Sequence, residues 1–381
     1  MTTFELILIG YGNVARRFES LLEEQRETLA RDHGLRVRIV GIATRTHGQR
    51  YSAAGLHKYV GSGFSRTNPE AASGTAEAGP HVPAGPHLPA ATLAFLRDAL
   101  KRSAVAARER RLVVVETTTL DIERGEPATA HVRAALAGGA HVVTANKGPV
   151  AFAYRALTRA AARADRRFLF EGAVMDGVPI FNLVRETLPA VRILGFRGVV
   201  NSTTNFILTA MEQGQRFEEA LTEMQARGIA EADASLDIDG WDAAAKTAAL
   251  ANVLLDANIT PRDVARQGIG PDTGRIAREA LAAGRRLKLV VRGDRDGRGV
   301  TARVAPEHLE GDDLLAGVEG QQNALILRTD VLDEIAIVQR GGGLTQTAYA
   351  LLSDLIAIAR NATGGSATRR SPSPARRRRI L

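Results

Sequence analysis

Residues 4–10 carry an apolar run that ends at Gly10-Tyr11-Gly12, and a helical pattern starts at once and continues to about residue 30. Few folds accept that order. A strand that turns directly into a helix sets the helix start, with its unpaired N–H groups and dipole, over the strand's carboxyl end. Gly12 lets a pyrophosphate approach the backbone, and the amides of Asn13 and Val14 open the helix that binds its charge. Ala15 stands at the third small position, where glycine would make the motif stronger. The pattern reads as a dinucleotide-binding turn contacted through Gly10, Gly12, Asn13 and Val14. The plainer reading is a structural glycine turn.

Beyond residue 30 the chain repeats the same grammar. Strand patterns at 35–44, 112–116 and 141–144 alternate with helical stretches at about 91–109 and 128–138. This alternation predicts an α/β fold built on a doubly wound parallel sheet. Thr117, just past the 112–116 strand, is assigned to the cofactor site with the glycines. Residues 62–90 form a long irregular insertion, of a length that is uncommon inside a compact domain. After Ala145 the texture changes. A helix at about 150–165 and a short strand at 168–170 lead to a Gly-rich turn. A strand at 193–201 is followed by helices to about 258, then by strand-like segments at about 286–292, 300–304 and 323–338. Gly341-Gly342-Gly343 opens a last helix at about 345–360, and there is no internal repeat. The expected organisation is a dinucleotide-binding domain over 1–145, completed by a helix at 341–362. A substrate-binding and dimerisation domain spans 146–340, and a disordered basic tail 363–381.

Composition removes several alternatives. The chain has no Cys, which excludes disulfides, thiolate chemistry and Cys-bound zinc. The apolar start carries Glu5 and no preceding basic region, so it reads as a strand and not a signal peptide. No run approaches a membrane span, and a cytoplasmic protein is expected. Arg369, Arg370, Arg376, Arg377, Arg378 and Arg379 supply six charges of the net +8. That tail reads as a solubilising extension, with nucleic acid the weaker alternative.

The chemistry concentrates between Glu231 and Lys246, a window with five carboxylates and one lysine. From Trp241 the alanines make a helix. Asp242 and Lys246 are then i and i+4, about 40° apart around the helix axis. A carboxylate that orients an ammonium suits proton transfer; alone, the pair is equally a surface ion pair. Thr144-Ala145-Asn146-Lys147 ends a strand at the face where open α/β sheets take their ligands, which makes Lys147 a second candidate amine. Glu171 and the turn to Pro179 offer a carboxylate and carbonyls of the kind hard cations prefer. Asn201-Ser202-Thr203-Thr204-Asn205 supplies small polar groups for a ligand carboxylate or for capping the next helix. Between Val40 and Arg50 there is no acid to accept from a ribose diol, whereas Arg45 suits a 2′-phosphate. NADP is therefore favoured over NAD.

Together these motifs resemble homoserine dehydrogenase, which links L-aspartate 4-semialdehyde and L-homoserine in threonine and methionine biosynthesis. The resemblance runs from about residue 6 to residue 360 and includes Gly342-Gly343-Leu344-Thr345-Gln346-Thr347 with Asp354. It implies a Rossmann-type dinucleotide-binding domain followed by an α+β catalytic and dimerisation domain, in a homodimer. It also implies that Lys246 is the principal proton-transfer residue, Lys147 a second amine at the reacting oxygen, and Asp242 their orienting carboxylate. Glu231, Asp237 and Thr203 would meet the substrate, and Gly343 the cofactor. Glu171, with carbonyls of Val174, Asp176 and Val178, would hold a monovalent cation such as sodium. Two adjacent cations are expected to lower each other's pKa. Departures include Asp176 and Met175 where small residues are usual, Ser202 in place of Gly, and Ile229 in place of Tyr. The family's regulatory and kinase domains have no counterpart in this sequence. The rival readings are another two-domain amino-acid dehydrogenase and a catalytically silent NADP(H)-binding relative.

Overall fold

The computed structural model describes residues 1–44, 48–56, 88–226 and 234–363. Arg45, Ile229, Glu231, nearly all of the 62–90 insertion and the basic tail lie outside them.

The first half runs β1 (Thr2–Ile9), α1 (Asn13–Glu24), α2 (Arg26–His33), β2 (Leu35–Ala43), β3 (Gln49–Tyr51), α3 (Leu88–Arg102), α4 (Ala104–Arg108), β4 (Leu112–Glu116), α5 (Ala128–Ala137), β5 (His141–Thr144), α6 (Lys147–Ala164) and β6 (Phe168–Leu169). These strands form one sheet in the order β3-β2-β1-β4-β5-β6. All neighbours are parallel except the short edge strand β3, which runs antiparallel to β2. Alternate residues of a strand face opposite sides. Ile7, Ile9, Val114 and Val142 pack with Leu96, Val132 and Leu136 of α3 and α5. Leu6, Leu8, Val113 and Val115 pack on the other side with Phe18 and Leu22 of α1. Both faces are covered, which is why these strands read as near-continuous apolar runs. The sheet takes in β6, a strand beyond the expected boundary at 145.

The second half contains β7 (Ile193–Val199), α7 (Ser202–Glu212), α8 (Phe217–Ala226), α9 (Ser235–Ile238), α10 (Trp241–Leu254), β8 (Ala265–Arg266), α11 (Thr273–Ala282), β9 (Arg285–Asp296), β10 (Gly299–Glu310), β11 (Asn323–Thr329), β12 (Glu334–Gln339) and α12 (Leu344–Thr363). Its sheet has the order β12-β11-β7-β9-β10-β8, antiparallel except for the β8–β10 pair. Leu287, Leu289 and Val291 of β9 pack on α7, α10 and α11 through Leu208, Ala248 and Ala277. The opposite face buries Val199, Val290 and Ile326 beneath Leu315 and Val318 of the β10–β11 connection.

Two helices join the halves. α12 returns to the first sheet, with Ala348, Leu351, Leu355 and Ile358 in the same core as Phe18 and Leu22. α10 lies against α6, where the Asn252 amide donates to the carbonyls of Val150 and Ala151 at 3.1 and 3.2 Å. α6 thus begins at the carboxyl edge of the first sheet with its first turns against the C-terminal part of α10.

Candidate active site

The glycine turn is built for close approach. Gly10 ends β1 at φ +86°, and a Cβ there would lie 2.8 Å from the backbone of Thr117. Thr117 closes the contact by donating its N–H to Ile9 O at 2.8 Å and its hydroxyl to Gly10 O at 3.1 Å. Gly12 is the N-cap of α1, and no side chain caps that helix. A Cβ on Gly12 would meet nothing within 4 Å. The uncapped N–H groups of α1 thus face open space, as an anion site requires. Val14 and Thr117 line a cavity of about 290 Å³ together with Lys147, Val174, Asp176, Lys246 and Thr347. The turn fits the pyrophosphate of a dinucleotide, and the cavity joins that turn to the two amines.

The amines converge on one carboxylate. Asp242, in the first turn of α10, lies 3.1 Å from Lys147 Nζ through Oδ1 and 2.9 Å from Lys246 Nζ through Oδ2. Lys246 also donates to Val200 O at 2.6 Å. Lys147 is the first residue of α6, whose N-cap Asn146 accepts from Gly148 N. Asp237, on α9, faces the same centre. The residue that ties it in is Asn201, whose Nδ2 donates to Asp237 Oδ1 at 2.7 Å and to Asp242 Oδ2 at 2.9 Å. Its Oδ1 caps α7 by accepting from Thr204 N at 2.8 Å. The sequence marks Asn201 as a cap; its double use depends on α9 and α10 arriving from elsewhere in the chain. Thr203 is buried beside Asp237.

This packing sets the charges. Burial alone would raise the Asp242 carboxyl, but the ammoniums of Lys147 and Lys246 and the donors Lys246 and Asn201 hold it well below the usual carboxylate range. For Lys147 the charge of Asp242 outweighs burial and raises the ammonium's pKa, with Asp237 and Asp176 adding in the same direction. The expected mutual lowering of two cations is therefore corrected for Lys147, because its nearest charge is an anion. Asp237 is pushed up by burial and by Asp242, against hydrogen bonds from Asn201 and Thr203.

In the turn after β6 both acidic side chains of the expected cation site have protein partners. Glu171 is buried, and its carboxylate accepts N–H groups of Ile180, Phe181 and Asn182 at 2.6, 2.9 and 2.6 Å. Asp176, at φ +48°, turns toward α12 and accepts from Gln339 Nε2, Gly343 N and the Thr347 hydroxyl at 3.0, 3.2 and 2.9 Å. Both carboxylates thus serve protein donors, and Val178 O likewise accepts from Ile180 N at 2.9 Å. Among the described residues no cluster of three acidic or histidine side chains suits a metal ion. Gly343 ties the start of α12 to this turn.

A carboxylate that fixes two amines at the mouth of a dinucleotide cleft can orient a proton donor toward a carbonyl oxygen and stabilise charge that develops there. Residues 10–171 match the model of the homoserine dehydrogenase NAD-binding domain, and residues 179–356 match the homoserine dehydrogenase model. The NAD(+)-dependent homoserine dehydrogenase of Pseudomonas canavaninivorans is 36% identical over 365 residues, covering 95% of this chain and 98% of that one. The homoserine dehydrogenase of Sulfurisphaera tokodaii is 33% identical over 361 residues, covering 94% and 99%. The crystal structure of a homoserine dehydrogenase from Thiobacillus denitrificans aligns with TM-score 0.75 and 29% identity, covering 98% of this chain and 76% of that one. Matched in both halves and along nearly its full length, this chain belongs to the homoserine dehydrogenase family.

Proposed function

We propose that this oxidoreductase interconverts L-aspartate 4-semialdehyde and L-homoserine with Lys246 as its principal proton-transfer residue. The observation that carries the proposal is the contact of Asp242 with both ammoniums beside the cavity lined by Val14 and Thr117. When bound, a nicotinamide dinucleotide supplies or accepts the hydride. In the reductive direction negative charge develops on the aldehyde oxygen. Lys246, aimed by Asp242 and Val200 O, stabilises that charge and delivers the proton, with Lys147 as the second amine at the same oxygen. Homoserine oxidation needs an amine without its proton. The anionic surroundings of Lys147 oppose that loss, so oxidation is favoured at alkaline pH.

Homoserine carries an ammonium and a carboxylate. Asp237, Asp242 and Glu231 serve the first, and Thr203 with backbone amides serves the second. Alcohols without these groups leave buried polar atoms unpaired and are poor substrates. Arg45 and the missing acid after β2 favour NADP; the Pseudomonas canavaninivorans relative, by contrast, is named NAD(+)-dependent. A monovalent cation is proposed at Glu171 with the carbonyls of Val174, Asp176 and Val178. A homodimer through β11 and β12 is supported by the exposed Val331, Leu332 and Val338. No helix among the described residues is long and apolar enough to cross a membrane, and a cytoplasmic location is proposed.

Steady-state rates with NADH and NADPH test the reading, using homoserine against aspartate and diaminopimelate. Turnover confined to homoserine, and faster with NADPH, is expected. Faster turnover of an amino-group substrate would overturn the reaction, and a preference for NADH would overturn the cofactor choice alone.

A further inference from the structure

We infer that Glu116 is a positioning residue that fixes the direction from which Lys147 enters the site. The inference rests on the reading of Lys147 as the second amine at the reacting oxygen. Glu116 is the last residue of β4 and is fully buried. Nothing in the proton-transfer chemistry uses it. Its neighbours are all donors, as a buried carboxylate requires. Oε1 accepts from Thr118 N at 3.2 Å and from the Thr118 hydroxyl. The Thr144 hydroxyl shares its one proton between Glu116 O at 2.8 Å and Oε2 at 3.2 Å. The buried His131 Nδ1 lies 3.5 Å from Oε1, and its Nε2 has no partner. An Nδ1–H tautomer gives Glu116 a fourth donor and leaves Nε2 as a bare acceptor.

These bonds close a ring around the start of α6. The Thr144 hydroxyl accepts from Asn146 N at 2.9 Å, and Asn146 Nδ2 donates to Thr118 O at 2.8 Å. Asn146 Oδ1 accepts from Gly148 N at 2.8 Å and so begins the helix on which Lys147 comes first. Thr118, Asn146 and Lys147 line the same cavity. The β4 ladder with β1 and β5 needs only backbone groups. The side chain of Glu116 instead joins the ends of two strands to the cap of one helix. A tilt of that cap displaces an ammonium at the end of a long side chain, and a shift of about 1 Å costs about 10²-fold in rate.

The experiment compares substitutions alone and in a Lys147→Met background. Glu116→Gln can keep the ring. Its Oε1 accepts from Thr118 and its amide donates to Thr144, whose own proton stays on the main-chain O of residue 116, 2.8 Å away. Glu116→Leu removes the ring. Glu116→Leu is expected to lower kcat about 10–100-fold with dinucleotide Kd within about 3-fold, and Glu116→Gln to hold kcat within about 3-fold of wild type. In Lys147→Met the Leu substitution should cost less than about 2-fold more, because the group it positions is gone. If Glu116→Leu does not fold, Thr144→Val breaks the ring at another buried point and should give the same loss and the same erasure. Gln as damaging as Leu would overturn the inference, and so would penalties that multiply in Lys147→Met. Wild-type turnover in Lys147→Met alone would instead overturn the reading of Lys147 on which the inference rests.

Discussion

Replacing Asp242 by Asn asks whether one carboxylate governs the ionisation of the amines around it. The side chain keeps its size, yet it cannot keep its contacts. Its oxygens now accept from Lys147 at 3.1 Å on one side and from Lys246 and Asn201, each at 2.9 Å, on the other. An amide in either rotamer points its N–H2 at a donor. The larger effect is the lost charge. A unit charge about 3 Å from an ammonium contributes about 3–5 kcal/mol at an effective dielectric of about 20–40. The Lys147 and Asp242 side chains are 23% and 16% exposed, so solvent screening trims the figure, and a downward shift of the Lys147 ammonium is expected. The sign follows from the chemistry. Oxidation of homoserine needs a deprotonated amine, so kcat rises with pH as that amine loses its proton. Asp242→Asn moves that rise to lower pH and lowers the plateau at least about 10-fold, because the amines are no longer held. The assay is kcat for homoserine oxidation between about pH 6 and about pH 10. Trp241, the only tryptophan, sits one residue away and stacks with Arg266 at 3.8 Å. Its fluorescence reports whether the start of α10 is intact. An unmoved midpoint in a folded variant would refute the electrostatic argument.

Other perturbations separate folding from binding. Gly10→Ala combines φ +86° with a Cβ 2.8 Å from the Thr117 backbone and should destabilise the fold by about 2–4 kcal/mol in denaturant titration. Gly12→Ala projects into open space; it should leave stability within about 0.5 kcal/mol but raise the dinucleotide Kd about 10-fold or more in equilibrium binding. Equal effects of the two substitutions on stability would contradict the geometry of the turn. Asp354 lies buried on α12, accepting from Glu171 N at 2.9 Å, and burial pushes its carboxyl up from 3.8 to about 7. The folded state then keeps a proton that the unfolded chain releases, so stability falls as pH rises from about 4 to about 7 and is level above. Asp354→Asn should remove about 1–4 kcal/mol of the fall in unfolding free energy across that range, read by denaturant titration at several pH values; an unchanged slope would place the titration elsewhere.

Legibility in the sequence tracks the range of the interactions. The strands at 112–116 and 141–144 are readable to the residue because both faces of a parallel sheet are buried, which leaves little but valine and leucine. Asp242 and Lys246 are readable as a pair because a single helix turn brings them together. The contact of Lys147 with Asp242 spans almost a hundred positions and has no local signature; only the resemblance carries it. Asn201 is visible as a cap and invisible as a bridge, since Asp237 and Asp242 approach it through tertiary packing. The helix expected to run to about residue 30 breaks at Gln25, and the longer one at Ser103, where no Gly or Pro marks the break. β3 and β8, of three and two residues, are too short for any period to register. The sequence leaves the Asp176 side chain either at a cation or pointing away; its left-handed backbone and three donors near α12 hold it away.

The role of Lys246 is tested most directly by single-turnover reduction of aspartate semialdehyde in Lys246→Met, with dinucleotide binding measured on the same protein. The expected rate is about 10²–10⁴-fold below wild type, or about 3–5 kcal/mol of barrier, with dinucleotide Kd within about 3-fold. A variant that binds dinucleotide normally and keeps more than about a tenth of the rate would contradict that role, because the proton would then come from another group.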